Sequence, residues 1–165
     1  MRNLFKGLLM VVCIFVLVGC GTKEASKDIS FEAQYVRTDG VVEDVEYPVV
    51  KKISSVDELD TYYAENMLNY NFSDNLGNGL SFTTAIDKYD ELYFNNSFLL
   101  VVLVEENNDD IYHEISNISK DGKIIINKIV PDETGTSSIH WHLLIELDKK
   151  YSDIDYSVSF EEIEK

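Results

Sequence analysis

The spacing of apolar side chains predicts a domain built mainly from β-strands. Side chains on a strand alternate between its two faces, so an apolar residue at every second position indicates one buried face. Residues 154–160 follow this alternation, whereas residues 97–106 are apolar at nearly every position. A strand of the second kind is buried on both faces, so we expect residues 97–106 to form a central strand.

Two further strands are predicted at the start of the domain, joined by a turn. Apolar residues alternate from Phe31 to Tyr35, a turn containing Gly40 follows, and residues 41–50 continue as a strand. Because Pro48 has no backbone N–H, this second strand should lie at a sheet edge or bend there.

Helical spacing replaces the strand pattern in the middle of the chain. Ser55 and Glu58 have the spacing of a capping box, and the apolar residues that follow predict a helix over about 56–68. The next stretch is rich in Asn, Asp, Ser and Gly, after which helical spacing returns over about 84–94. A short or broken second helix is therefore predicted.

The strongest turn signal lies in the second half of the chain, where Asp121 and Gly122 separate two apolar segments as in a β-hairpin. We expect the strands after residue 106 to pair in antiparallel fashion. Together the segments predict an α+β fold, with a mainly antiparallel β-sheet of about six to seven strands and one or two helices packed on it.

The N-terminus has the pattern of a bacterial lipoprotein signal. Arg2 and Lys6 precede an apolar run, 8–18, that is too short to span a bilayer comfortably. The run ends in Leu-Val-Gly-Cys, which resembles a lipobox, the motif whose cysteine thiol receives a diacylglyceryl group before cleavage. We expect a signal peptide over 1–19 and a lipid anchor at Cys20, facing outside the cytoplasm. An uncleaved anchor helix is the alternative.

The predicted mature chain divides into a tether and one domain. Residues 20–30 are small, polar or charged and predict a flexible tether after the lipidated cysteine. Residues 31–165 are long enough for a single extracytoplasmic domain with its own core. Cys13 leaves with the signal peptide and Cys20 carries lipid, so no thiol remains for a disulfide or a metal site.

The chain is strongly acidic, with 30 Asp and Glu against 14 Lys and Arg. Cleavage after residue 19 would remove two basic residues and no acidic one. Such a charge opposes binding to nucleic acid and to anionic lipid head groups. We therefore exclude nucleic acid as a partner and expect membrane lipid to be reached only through Cys20.

Two histidines are the most suggestive chemical feature. On a strand His140 and His142 share one face and Trp141 takes the other, where we expect it in the core. The histidine face is either exposed or covered by a helix. It could bind a divalent ion such as zinc, with His113 or Glu114 as a third ligand. If the histidines are ordinary polar residues, His142→Ala should cost far less stability than Trp141→Ala.

Four acidic residues crowd the connection after the central strand: Glu105, Glu106, Asp109 and Asp110. Their oxygens suit calcium, but no EF-hand register is present. A solvated, charged hairpin turn that discourages edge-to-edge aggregation is the simpler interpretation.

No catalytic motif is present. Ser137 and Ser138 lie near His140 but lack the glycines of a nucleophile elbow, and Gly-Asn-Gly at 77–79 lacks the lysine of a phosphate-binding loop. We expect a non-enzymatic module that binds an envelope protein or glycan, with zinc binding as the alternative. The ten tyrosines, several of them around the predicted helices, would form either an exposed binding face or part of the core.

The order of segments between residues 50 and 148 resembles a known group. The segments are KKISSVDELDTYYAEN, AIDKYDELYF, IYHEISNISKDGKIIINKIVPDE and WHLLIEL. They resemble uncharacterised lipoproteins of Gram-positive bacteria, and the second half is remotely similar to the C-terminal domain family named after a protease-complex subunit. Members carry a Thr-Cys-Asp-Met-Ala-like string before the Trp, where this chain has Gly-Thr-Ser-Ser-Ile-His. The resemblance implies a compact α+β surface lipoprotein and brings no catalytic residues.

Overall fold

The computed structural model describes residues 28–164, except 41, 43, 77, 78, 133, 134 and 136. The strands are β1 (Glu32–Thr38), β2 (Val49–Ile53), β3 (Ser97–Glu106), β4 (Tyr112–Ile118), β5 (Lys123–Val130), β6 (Ile139–Asp148) and β7 (Ser157–Glu164). The helices are α1 (Val56–Asn66), α2 (Phe82–Ile86) and α3 (Glu91–Asn96), and a 3-10 helix (Lys149–Tyr151) follows β6. The predicted α+β class is confirmed.

The strands are divided between two sheets, which gives the domain three layers. The larger sheet has the order β1-β6-β3-β2 and the smaller one β4-β5-β7. Apolar residues of both sheets share one core, and the helices cover the other face of the larger sheet with a second core. The central position of residues 97–106 is confirmed, because β3 lies between β6 and β2 and buries both of its faces.

The two N-terminal strands do not form a hairpin. β1 pairs with β6 at one edge of the larger sheet, and β2 pairs with β3 at the other edge. The strand predicted over 41–50 is wrong for the described residues before Val49, where β2 begins, and residues 41 and 43 lie outside the described residues. The edge position predicted from Pro48 is confirmed, since this residue directly precedes edge strand β2.

The helices follow their local signals. Ser55 Oγ accepts a hydrogen bond from the Glu58 N–H at 3.2 Å, and Glu58 Oε2 accepts one from the Ser54 N–H at 2.7 Å. This arrangement satisfies N–H groups that lack partners at the start of α1. The second helical segment is broken into α2 and α3, as predicted, and each piece has its own cap at Ser81 and Asp90.

The smaller sheet combines a hairpin with a parallel pair. β4 and β5 form the predicted hairpin, and Gly122 in its turn has φ +87°, a value that glycine adopts without strain. β7 pairs with β5 in parallel, which corrects the prediction of antiparallel strands throughout. After β5 the chain returns along β6 in the other sheet, so it enters β7 at the end where β5 began.

The domain begins slightly earlier than predicted. Asp28 forms a bridge with Ser119, and the N–H of buried Ile29 donates to the Ile118 carbonyl at 2.6 Å. Residues 28–30 therefore belong to the domain rather than to the tether. The predicted signal peptide, Cys20 and the rest of the tether lie outside the described residues. None of the described helices is long and apolar enough to cross a membrane.

Candidate functional site

Strand β6 separates two clusters of polar side chains on opposite faces of the larger sheet. Trp141 faces the smaller sheet and is buried in the core between the sheets, as predicted. His140 and His142 face the helices on the other side.

The histidine pair lies in a closed aromatic environment. The fully buried His142 ring meets Tyr70, Phe72 and Phe82 edge-on, with ring centroids 4.9, 5.3 and 5.0 Å away. His140 is also buried, with its ring centroid 5.1 Å from that of Tyr70. Of the two alternatives for this face, the covered one is correct. The low cost expected for His142→Ala assumed an ordinary strand-face residue and does not apply to this ring.

Burial keeps both histidines neutral. Burial, and after it the neighbouring His140, lower the pKa of His142 to about 3. Burial also lowers the pKa of His140, although Glu105, whose Oε1 lies 3.7 Å from His140 Nε2, opposes this effect. Thr38 Oγ1 lies 3.3 Å from His142 Nδ1 and is a hydrogen-bond partner for that ring.

The third ligand predicted for zinc is not beside the pair. His113 lies on β4, beyond the opposite face of β6, with its ring centroid 5.8 Å from that of Trp141. Glu114, the other candidate, is exposed on the neighbouring position of β4. Among the described residues, no three His, Cys, Asp or Glu side chains are placed to hold one metal ion. The set His140, His142 and His113 is therefore corrected, because these residues do not form one site.

The four acidic residues at and after the end of β3 do not form one cluster. Glu105 lies on the helix side near His140, whereas Glu106 is buried on the side of the smaller sheet. Asp110 Oδ2 accepts a hydrogen bond from the Gly135 N–H at 3.1 Å and so joins two loops. The connection is a crossover between sheets, since β3 and β4 do not pair, and the predicted hairpin is wrong.

Glu106 forms a buried polar cluster with Lys128 and His113. Lys128 Nζ lies 2.8 Å from Glu106 Oε2, and His113 Nε2 lies 3.3 Å from Glu106 Oε1. Burial alone would raise the pKa of Glu106, but its contacts with His113 and Lys128 outweigh burial and lower it. The carboxylate therefore stays ionised and paired inside the domain.

A groove opens beside His113, between the edge strand β1 and strand β4. It has a volume of about 400 Å³ and is lined by Tyr35, Arg37, Leu76, His113 and Trp141, among others. We call it the Trp141 groove. This volume is within the range of small-molecule sites in proteins, roughly 300 to 1,000 Å³.

Arg37 is the distinctive residue of this groove. It lies opposite Trp141 in the β1–β6 register, and its guanidinium carbon is 5.4 Å from the centroid of the Trp141 ring. Its Nε is buried and has no hydrogen-bond partner among the described residues. The same holds for Trp141 Nε1 and for His113 Nδ1.

The tyrosines around the helices belong largely to the core. Tyr62, Tyr70 and Tyr89 are buried, and Tyr63 and Tyr93 pack against the same cluster while half-buried. These five residues therefore do not form an exposed aromatic face.

Sequence reasoning missed Arg37, although one signal was available. Arg37 is the only arginine after residue 19 in a chain with 30 acidic residues.

The chain matches no protein-family model, and comparisons with curated proteins and with solved structures find no match either. The resemblance to Gram-positive lipoproteins and to the protease-subunit domain family therefore stays a prediction.

Proposed function

We propose that this protein is a membrane-anchored extracytoplasmic lipoprotein that binds an envelope component in the Trp141 groove and does not convert it chemically. The anchor at Cys20 rests on the sequence pattern at residues 1–20. The binding site rests on the groove itself, which unites residues from β1, β4 and β6.

One observation carries the assignment of the groove. Arg37 Nε, Trp141 Nε1 and His113 Nδ1 belong to residues that line it, and none has a hydrogen-bond partner among the described residues. Buried polar groups in folded proteins are nearly always paired, because an unpaired one costs about 1 to 3 kcal/mol. A ligand with oxygen acceptors would supply the missing partners.

The non-enzymatic part of the proposal is supported by Glu106. This carboxylate lies next to His113 but is buried and paired with Lys128, and its lowered pKa keeps it from donating a proton near neutral pH. It is suited to fixing His113 in place. The zinc alternative needs a third ligand beside His140 and His142, and among the described residues His113 lies across β6 from them.

Filling the groove should abolish capture of the ligand. Asn75 lines the groove and is exposed, so Asn75→Trp should add bulk there without disturbing the core. We expect this variant to capture an envelope component at least about tenfold less well than the parent, by photo-crosslinking in detergent-solubilised envelopes. Asn95→Trp, at an exposed position on α3, is the matched control and should capture it normally. Equal capture by both variants would contradict the assignment of the groove.

Cys20→Ser should release the protein from the membrane. The acyl chains, rather than the acidic domain, are expected to hold it there, since anionic head groups repel a domain of this charge. Membrane fractionation followed by immunoblotting measures the change, and most of the variant should move to the soluble fraction. A variant as firmly bound as the parent would instead support the uncleaved anchor helix.

A further inference from the structure

We infer that the ligand of the Trp141 groove carries a carboxylate and that Arg37 binds this carboxylate as its anchor. The inference rests on the proposed function, because it names the ligand chemistry of the same groove.

No ion pair joins the Arg37 side chain to another described residue, and its buried Nε has no hydrogen-bond partner among them, while its guanidinium lies against the Trp141 ring. The chain has 30 acidic against 14 basic residues, about two to one, so carboxylates are abundant, yet no described carboxylate pairs with Arg37. A guanidinium is always charged and offers five donors in a planar fork that matches a carboxylate. No described residue therefore competes with a ligand for the buried Nε–H and the charge of Arg37.

The ring of Trp141 holds the guanidinium in place. A cation over an aromatic face is attracted by the ring, and the distance of 5.4 Å lies within the range of this interaction. Trp141 is itself fixed in the core between the sheets. An arginine fixed before binding loses less conformational freedom when it pairs, which strengthens binding.

The charge of the groove favours a single negative charge on the ligand. Arg37 is the only Lys or Arg among the described residues that line it. A dianionic phosphate would be balanced only in part by this one cation and would be repelled by the acidic domain. A carboxylate carries one charge and fits the fork with two parallel hydrogen bonds.

The rest of the lining is suited to a small ring or a short peptide. Tyr35, Leu76 and Trp141 present apolar and aromatic surface, and the volume of about 400 Å³ accommodates a unit of that size. Such a carboxylate would come from the C-terminus of a peptide or from an acidic sugar.

Trp141 provides the readout, because it is the single tryptophan of the chain. The probes are N-acetyl-alanyl-alanine with a free C-terminus, its C-terminal amide, glucuronate and glucose. We expect at least one of the two carboxylate probes to shift the NMR signal of the Trp141 indole N–H saturably. Its neutral counterpart should bind at least about tenfold more weakly, since charge-assisted hydrogen bonds are lost. The probe that binds identifies the source as peptide or sugar.

Variants of Arg37 measure how much this residue contributes to binding, apart from the other residues of the groove. Arg37→Gln should weaken binding of the carboxylate probe at least about tenfold, and Arg37→Lys should also weaken it because the planar fork is lost. Lys120→Gln makes the same charge change at an exposed position in the β4–β5 turn and should leave binding unchanged. Thermal unfolding of each variant, compared with the parent, confirms that it is folded.

Two results would overturn the inference. If a carboxylate and its neutral counterpart bind equally, or if Arg37→Gln binds as tightly as the parent, the ligand is not anchored through a carboxylate, although the groove still binds. If no probe produces a saturable shift up to about 10 mM, a carboxylate anchor at Arg37 is also wrong. Capture by the parent and its loss in Asn75→Trp would even then support the groove itself.

Discussion

Replacement of Trp141 by alanine should lower the free energy of unfolding by about 3 to 5 kcal/mol. The ring is 7% exposed and packs in the core between the two sheets, so its removal leaves a cavity that the rigid strands on either side cannot close. It also removes the surface against which Arg37 and His113 pack. Chemical denaturation with urea, followed by far-ultraviolet circular dichroism, measures the change.

The matched control for this prediction is Leu92→Ala. Leu92 is a large apolar residue on α3 that is 74% exposed, so its truncation should change the stability by no more than about 0.5 kcal/mol. If Trp141→Ala cost less than about 1 kcal/mol, the core between the sheets would not be packed as described.

Acidification from pH 6.5 to 4.5 should lower the free energy of unfolding by roughly 2 to 3 kcal/mol through His142 alone. Its pKa is lowered from 6.5 to about 3 in the folded protein. Below pH 6.5 the unfolded chain therefore binds a proton that the folded protein does not, and stability falls with falling pH. The contribution is fully present above pH 6.5 and is lost progressively towards pH 3.

Above pH 4.5 the pH dependence of stability comes from the histidines rather than from the carboxylates. Glu106 has a lowered pKa and is ionised in both states there, so its contribution is lost only below its ordinary value of 4.5. The pKa of His140 is also lowered, so this residue adds to the fall in unfolding free energy that His142 causes as the pH falls. Urea denaturation at a series of pH values measures the combined slope.

His142→Phe keeps an aromatic ring in the pocket and removes the titrating group. It should reduce the fall in unfolding free energy between pH 6.5 and 4.5 by roughly 1 kcal/mol per pH unit, whatever its effect on stability at neutral pH. An unchanged slope would show that His142 is accessible to protons in the folded protein.

The local elements of this fold were predictable because their signals are local. Ser55 and Glu58 start α1 through hydrogen bonds that span three or four residues, and Asp121-Gly122 makes the hairpin through the backbone freedom of Gly122. The continuous apolar run of β3 likewise indicates that both of its faces are buried, and no other segment is needed to see this. Each of these signals is complete within about ten residues.

Strand pairing was less predictable, because it depends on residues far apart in the chain. The turn at Gly40 suggested that β1 and β2 pair, yet their partners are β6 and β3. The parallel pairing of β7 with β5 and the division into two sheets were likewise not visible in the alternation of any single strand. A strand's pattern tells which of its faces is buried but not what buries it.

The sequence by itself determined the α+β class, the start of α1, the β4–β5 hairpin, the central position of β3 and the placement of Trp141 in the core. The tertiary structure alone decided that helices and aromatic rings cover His140 and His142, and that His113 lies across β6 from them. It also brought Arg37, Trp141 and His113 together from three strands. The physical reason is that a side chain's face follows from its own strand, whereas its neighbours depend on which distant strands pair and which layers stack.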